Sequence, residues 1–285
     1  MLKDRLFFGT LMTLLFVSVA LFDGWLDGSL TLETADDKEV QGTLILILIA
    51  LVVVPAQREI AVLFRGKDMN VFTPVTISAS ILFSVSWYLG QFWDLSLSKY
   101  IFLLGAFSLM AVFLYQYFSY GIEGAVANCG VSVFSIFYIG LLSGFCVAVR
   151  VEFGLWAMLM YIFVVKGADI GAYIIGNFWG SRPFSPRLSP HKSWEGMAGA
   201  LVTAVCLGII MASVCGIMNW WLAGIFGFCF AFIGQLGDLA ESLLKRDCEH
   251  KDSAQKVPGF GGILDIIDSP LAAAPFAYLF FLIIL

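Results

Sequence analysis

The chain has 285 residues, of which 60% are hydrophobic and 13% charged, with 27 phenylalanines and a formal net charge of −5. Soluble domains carry about a quarter charged residues, and a core of this size could not hide so much apolar surface, so the solvent is a bilayer. The acidic balance and the absence of a long basic stretch exclude a nucleic-acid binder, and six scattered cysteines without a C-x-x-C pair give neither a disulfide framework nor a zinc site.

A membrane-spanning helix needs about 20 mostly apolar residues. Nine segments qualify in chain order: 5–23, 43–63, 71–91, 100–120, 126–149, 153–175, 194–216, 219–237 and 263–285. The reading is an all-α polytopic membrane protein with about nine transmembrane helices. The first segment has a long apolar stretch without a clear small-x-small cleavage site, so it reads as a retained span. Orientation follows Lys and Arg. With the N-terminus cytoplasmic and the C-terminus outside, thirteen fall on the inner side and three, Lys38, Lys99 and Arg150, on the outer. The acidic segment Asp23 to Glu39 then faces outward, where acids are tolerated. Residues 1–125 form N-terminal transmembrane helices. Residues 126–285 form a C-terminal transmembrane catalytic region with cytoplasmic loops 176–193 and 238–262.

In the sixth span, Asp169 lies one turn from Lys166, which makes an ion pair its plainest role. The loop that follows holds Arg182, Arg187, Ser189, Lys192 and Ser193, and three prolines bar it from being a helix. Ser193 is placed to cap the seventh span, with Glu195 in its first turn. Lys192, beside that helix N-terminus, is a candidate phosphate contact.

The stretch 238–268 concentrates charge, with 11 charged residues in 31 positions against 26 in the other 254. If the eighth helix continues past Asp238, then Asp238, Glu241, Ser242 and Lys245 form one stripe. Asp265 and Asp268 share a face on the first turn of the ninth span. Carboxylates at a bilayer cost several kcal/mol unless paired or metal-bound. Asp238, Asp265 and Asp268 therefore point to a bound cation, and oxygen donors without His or Cys suit Mg²⁺ before Zn²⁺. Glu241, Asp247 and Glu249 read as solvated charges. Gly259, Gly261 and Gly262, just before a helix start, offer backbone N–H groups to an anion. Acids that bring metal, with cations beside them, suit phosphate transfer between a cytoplasmic nucleotide and a membrane lipid.

The segment Ser242 to Asp268 resembles the signature of the phosphatidate cytidylyltransferases, or CDP-diacylglycerol synthases, S-x-x-K-R-x4-K-D, then P-G-H-G-G-x-x-D-R-x-D. Ser242, Lys245, Arg246, Lys251, Asp252, Pro258, Gly259, Gly261, Gly262, Asp265 and Asp268 occupy matching places. So do Asp169-x-x-Ala172-Tyr173-x-x-Gly176, Ser189-Pro190-x-Lys192-Ser193-Trp194-Glu195-Gly196 and Gly237-Asp238-Leu239. Phe260 stands for the usual His and Ile266 for the usual Arg, which removes a donor and a cation but no presumed metal ligand.

The resemblance implies cytidylyl transfer from CTP to phosphatidate, giving CDP-diacylglycerol and pyrophosphate for phospholipid biosynthesis. It implies a two-metal site with Mg²⁺ and K⁺, held by Asp238, Asp265 and Asp268. Lys245 and Ser242 join Asp265 and Asp238 in catalysis. Lys192, Ser193, Ser189, Arg246, Lys251, Asp252, Asp169, Gly261 and Gly262 bind substrate. Family analogy adds a homodimer; the compact length without extra targeting segments leads to the expectation of the bacterial inner membrane, and the charge topology to an active site facing the cytoplasm. The alternatives are a cytidylyltransferase acting on another lipid phosphate and an ion-coupled transporter. A CDP-alcohol phosphotransferase would need a D-G-x2-A-R…G-x3-D-x3-D pattern, which is not found.

Overall fold

The computed structural model describes residues 2–30, 37–93, 96–186, 188–250, 253–254 and 261–285, with the side chains of residues 2–6 and of His191 outside that description. Helices α1 (Leu2–Asp27), α2 (Thr43–Arg65), α3 (Thr73–Leu89), α4 (Leu97–Tyr120) and α5 (Ala125–Ser135) lead into a six-residue π-helical segment, Ile136–Leu141. Then come α6 (Leu142–Trp179), the strands β1 (Pro183–Ser185) and β2 (Ser189–Ser193), α7 (Trp194–Cys215), α8 (Trp220–Asp247) and α9 (Leu264–Ile284). The chain is thus all-α apart from one antiparallel ribbon. A backbone in hydrocarbon must satisfy its own hydrogen bonds, and helices do so along apolar runs.

Among the described residues, seven helical stretches are long and apolar enough to cross a membrane. Helix α3, with 17 residues, is shorter. The expected spans 126–149 and 153–175 are one 55-residue helical stretch, Ala125–Trp179. Its break is a single residue, Gly154, at φ 85° and ψ 179°, a conformation open to glycine and costly for other residues. Two expected loops are also partly helical: α6 runs on to Trp179 and α8 to Asp247.

The chain forms two compact units, residues 1–155 with 248–266, and residues 156–247 with 267–285. In the first unit, Phe72, Phe83, Val112, Cys129 and Ile136 form a buried core, with Phe72 stacked on Tyr120 at 5.6 Å. A polar seam lies beside it. Gln57 of α2 donates to Ser80 Oγ (2.7 Å) and to the Ser135 carbonyl (2.9 Å), and Ser84 and Ser143 share a 2.6 Å hydrogen bond. Such side-chain bonds and small residues hold helices together where lipid supplies no hydrophobic drive. The acids Asp23 and Asp27, read as part of an outward-facing acidic segment, are buried against Arg150, which is 0% exposed. Arg150 reaches Asp23 at 2.9 Å and Asp27 at 2.6 Å. The amides of Leu44 and Gly42 complete the shells of the two acids. This ties the end of α1 to the start of α2 and to α6.

In the second unit, close approach is permitted by missing side chains. A Cβ on Gly227 of α8 would stand 2.5 Å from the Ala204 carbonyl of α7. One on Gly199 would stand 2.6 Å from the Gly171 carbonyl of α6, and one on Gly237 would stand 2.7 Å from Ala272 of α9. Helices α6, α7, α8 and α9 therefore run close enough for their polar side chains to meet.

Candidate active site

Helix α8 carries Asp238, Glu241, Ser242 and Lys245 on the stripe that the sequence predicts, because the helix continues to Asp247. Asp268 of α9 faces it. Carboxylate oxygens of Asp238, Glu241 and Asp268 lie within 4.8 Å of one another. Each acid meets a lysine. Lys192 Nζ is 2.7 Å from Asp238, Lys245 Nζ 3.0 Å from Glu241, and Lys166 Nζ 3.5 Å from Asp268. Lys166 also pairs with Asp169 at 3.3 Å, the partner that the sequence suggests. Gln235 donates to Asp169 at 3.1 Å, and its carbonyl accepts from Lys192 at 3.4 Å. Ser242 Oγ lies 3.4 Å from Asp238.

This correct stripe contains one misreading. Glu241, expected to be solvated, is fully buried and stands inside the cluster. The signal was its position three residues after Asp238, and what overrode the solvated reading is the packing of α8 within the unit. Gln235, one turn before Asp238, was also not singled out.

The ribbon and α7 present the other cations. Ser193 caps α7 by accepting from Gly196 N–H at 3.1 Å, as the sequence predicts. Glu195 accepts from Ser181 Oγ (2.7 Å) and from the amides of Ser181 and Arg182, fixing the turn into the ribbon. Ser189 begins β2, and Arg246 donates to the carbonyl of its neighbour Leu188 at 3.2 Å. Arg187, Lys251, Asp252, Gly259 and Phe260 lie outside the described residues.

Asp265 belongs to the first unit. Its Oδ2 accepts from Gly262 N–H (2.7 Å), Ser253 Oγ (2.9 Å) and Ser253 N–H (3.0 Å). Gly262 therefore spends its N–H on Asp265, and a Cβ on it would collide with Ser253 Oγ and Glu59 Oε2. Gly261 stands at φ 97°, where glycine is favoured. Ile266, in place of the usual Arg, is half-buried in the first turn of α9. Glu59 of α2, 2% exposed, was missed in the sequence although it is an acid inside an apolar span.

The donors of the second-unit cluster are carboxylate oxygens, which fits a hard divalent cation and argues against a soft one. Four acids facing three lysines also leave a net negative charge for such an ion to offset.

A model of the cytidylyltransferase family matches residues 39–284. The chain belongs to the cytidylyltransferase family. It is 42% identical over 134 residues to a phosphatidate cytidylyltransferase of Haemophilus influenzae, covering 45% of this chain and 46% of that protein. It is 38% identical over 128 residues to one of Brucella suis (45% and 47%), and 39% identical over 124 residues to one of Mycobacterium bovis (44% and 40%). The chain thus matches about half the length, or less, of these cytidylyltransferase relatives.

Proposed function

We propose that this member of the cytidylyltransferase family transfers a cytidylyl group from CTP to phosphatidate, giving CDP-diacylglycerol and pyrophosphate. The observation that carries the reading is the acid cluster of Asp238, Glu241 and Asp268 with a lysine on each acid. A phosphatidate oxygen bonds to the α-phosphorus of CTP, and the bond to the β-phosphate oxygen breaks. Both reactants are polyanions, so the first task is to cancel their repulsion. The lipid phosphate is already a nucleophile, so positioning and positive charge carry most of the catalysis.

Asp238 and Asp268, with Glu241 beside them, hold a divalent cation. Asp265 is proposed as a further ligand on the strength of the signature alone. Mg²⁺ would supply Lewis-acid neutralisation of the phosphates, and K⁺ is assigned the second position. Lys192, Lys245, Arg246 and Lys251 neutralise phosphate oxygens. Ser189, Ser193 and Ser242 orient them by hydrogen bonds, and Gly261 and Gly262 allow close approach. Asp169 holds Lys166, and Asp252 supports Lys251.

The proposal includes nine crossings with the N-terminus cytoplasmic, on the ratio of thirteen basic residues to three. Residues 126–285 form the catalytic region, facing the cytoplasm from the bacterial inner membrane, in a homodimer. CTP arrives from the cytosol and the lipid enters sideways between helices. The test is purified protein with labelled CTP and phosphatidate, with and without Mg²⁺. Mg²⁺-dependent appearance of labelled CDP-diacylglycerol is expected. Labelling of another lipid phosphate in its place would redirect the substrate, and no labelled lipid at all would sink the reaction.

A further inference from the structure

Glu59 has no part in the reaction as proposed, yet it is an acid buried within an apolar helix. Its Oε2 accepts from the Leu264 amide at 2.9 Å and from Ser253 Oγ at 3.2 Å. Leu264 is the first residue of α9, where a backbone N–H has no partner within its own helix. Ser253 Oγ in turn lies 2.9 Å from Asp265 Oδ2. A serine hydroxyl has one proton to give. Glu59 and Asp265 therefore share a single donor, and where that hydroxyl points depends on both. The absent side chain at Gly262 is what lets Glu59 and Ser253 come this close.

We propose that Glu59 is a positioning residue for Asp265: by holding the Leu264 amide and the Ser253 hydroxyl, it fixes the first turn of α9 and so the place of the Asp265 carboxylate. The inference rests on the proposed role of Asp265 as a cation ligand. Groups that orient a ligand without touching the metal commonly govern affinity 10- to 100-fold. Removing Glu59 leaves the Leu264 N–H without this acceptor and frees Ser253 to turn wholly toward Asp265. Glutamine keeps an acceptor oxygen in the same place and gives up the charge.

The experiment uses the full chain in detergent micelles and Mn²⁺ as the probe, with bound Mn²⁺ followed by electron paramagnetic resonance without nucleotide. Glu59→Ala and Ser253→Ala should each raise the Mn²⁺ half-saturation about 10- to 100-fold, with Glu59→Gln close to wild type. In CTP-dependent turnover the two alanine variants should lose kcat with little change in KM for phosphatidate. The same Mn²⁺ shifts in a chain without turnover would fault the reaction and support the role of Glu59. No Mn²⁺ bound by the wild type, equal half-saturation in all variants, or loss of the folded protein in all three would overturn the proposal.

Discussion

In the first unit, Arg150 meets Asp23 and Asp27 with its guanidinium entirely out of water. In the second, Lys166, Lys192 and Lys245 meet Asp169, Asp238, Glu241 and Asp268, and the side chains of Lys166 and Asp238 keep about a third of their exposure, at 32% and 31%. The difference lies in the cation and in the solvent. A guanidinium offers a rigid planar fork of donors, and here Ser29 and backbone amides complete the arrangement. Such a set has no room for a newcomer. A lysine ammonium is a compact charge on a flexible stem, and one that keeps a third of its exposure, as Lys166 does, is held less tightly than a fully buried guanidinium. The buried charge of the first unit thus sits on a rigid fork with its donors placed, whereas in the second unit Lys166 and Asp238 keep water beside them and the Lys245–Glu241 pair is dry.

The sharpest way to break this comparison is Arg150→Ala. It strands two buried acids, and removing one partner of such a set costs about 3–5 kcal/mol. A large drop in the thermal melting temperature in detergent is expected, and an unchanged melt would show the network to be idle. Next is Asp238→Asn, which should lower CTP-dependent turnover about a hundredfold or more by weakening cation binding, with a smaller change in the melt than Arg150→Ala because Asp238 keeps 31% of its exposure. Wild-type turnover in that variant would move the chemistry elsewhere. Gly227→Ala tests the close crossing beneath the cluster: the added methyl meets backbone, and overpacking costs about 1–3 kcal/mol. A melt equal to wild type would show that α7 and α8 separate freely. The smallest effect is expected of Ser193→Ala, where loss of the cap of α7 costs about 1 kcal/mol. A fall in turnover far beyond that loss of stability would give the hydroxyl the substrate contact proposed for it.

The order of the helices was legible because apolar runs and their polar interruptions are one-dimensional facts. The stripe from Asp238 to Lys245 was legible for the same reason, since helical spacing needs only that the helix continue. The burial of Glu241 was not, because periodicity gives a face but not what packs on it. Asp23, Asp27 and Arg150 were hidden by distance: their partners lie more than a hundred residues apart in the chain. The break between the expected spans 126–149 and 153–175 falls at Gly154, just past residues 150–152, because Arg150, buried against Asp23 and Asp27, lets the helix continue to there. The resemblance around Asp265 identified the segment but not Ser253, which donates to Asp265, nor Glu59, which accepts from the Leu264 amide, because they lie outside the signature's matched positions.

The last residue of α5 bears on how the protein is made. Gln57 and Glu59 lie in α2, and the carbonyl that receives Gln57 belongs to Ser135, 78 residues later. As α2 leaves the ribosome, that acceptor has not yet been synthesised, so a polar amide must wait at the membrane without its eventual host. Synthesis order therefore favours holding α2 beside the insertion machinery, or at the wet edge of the bilayer, until α5 arrives.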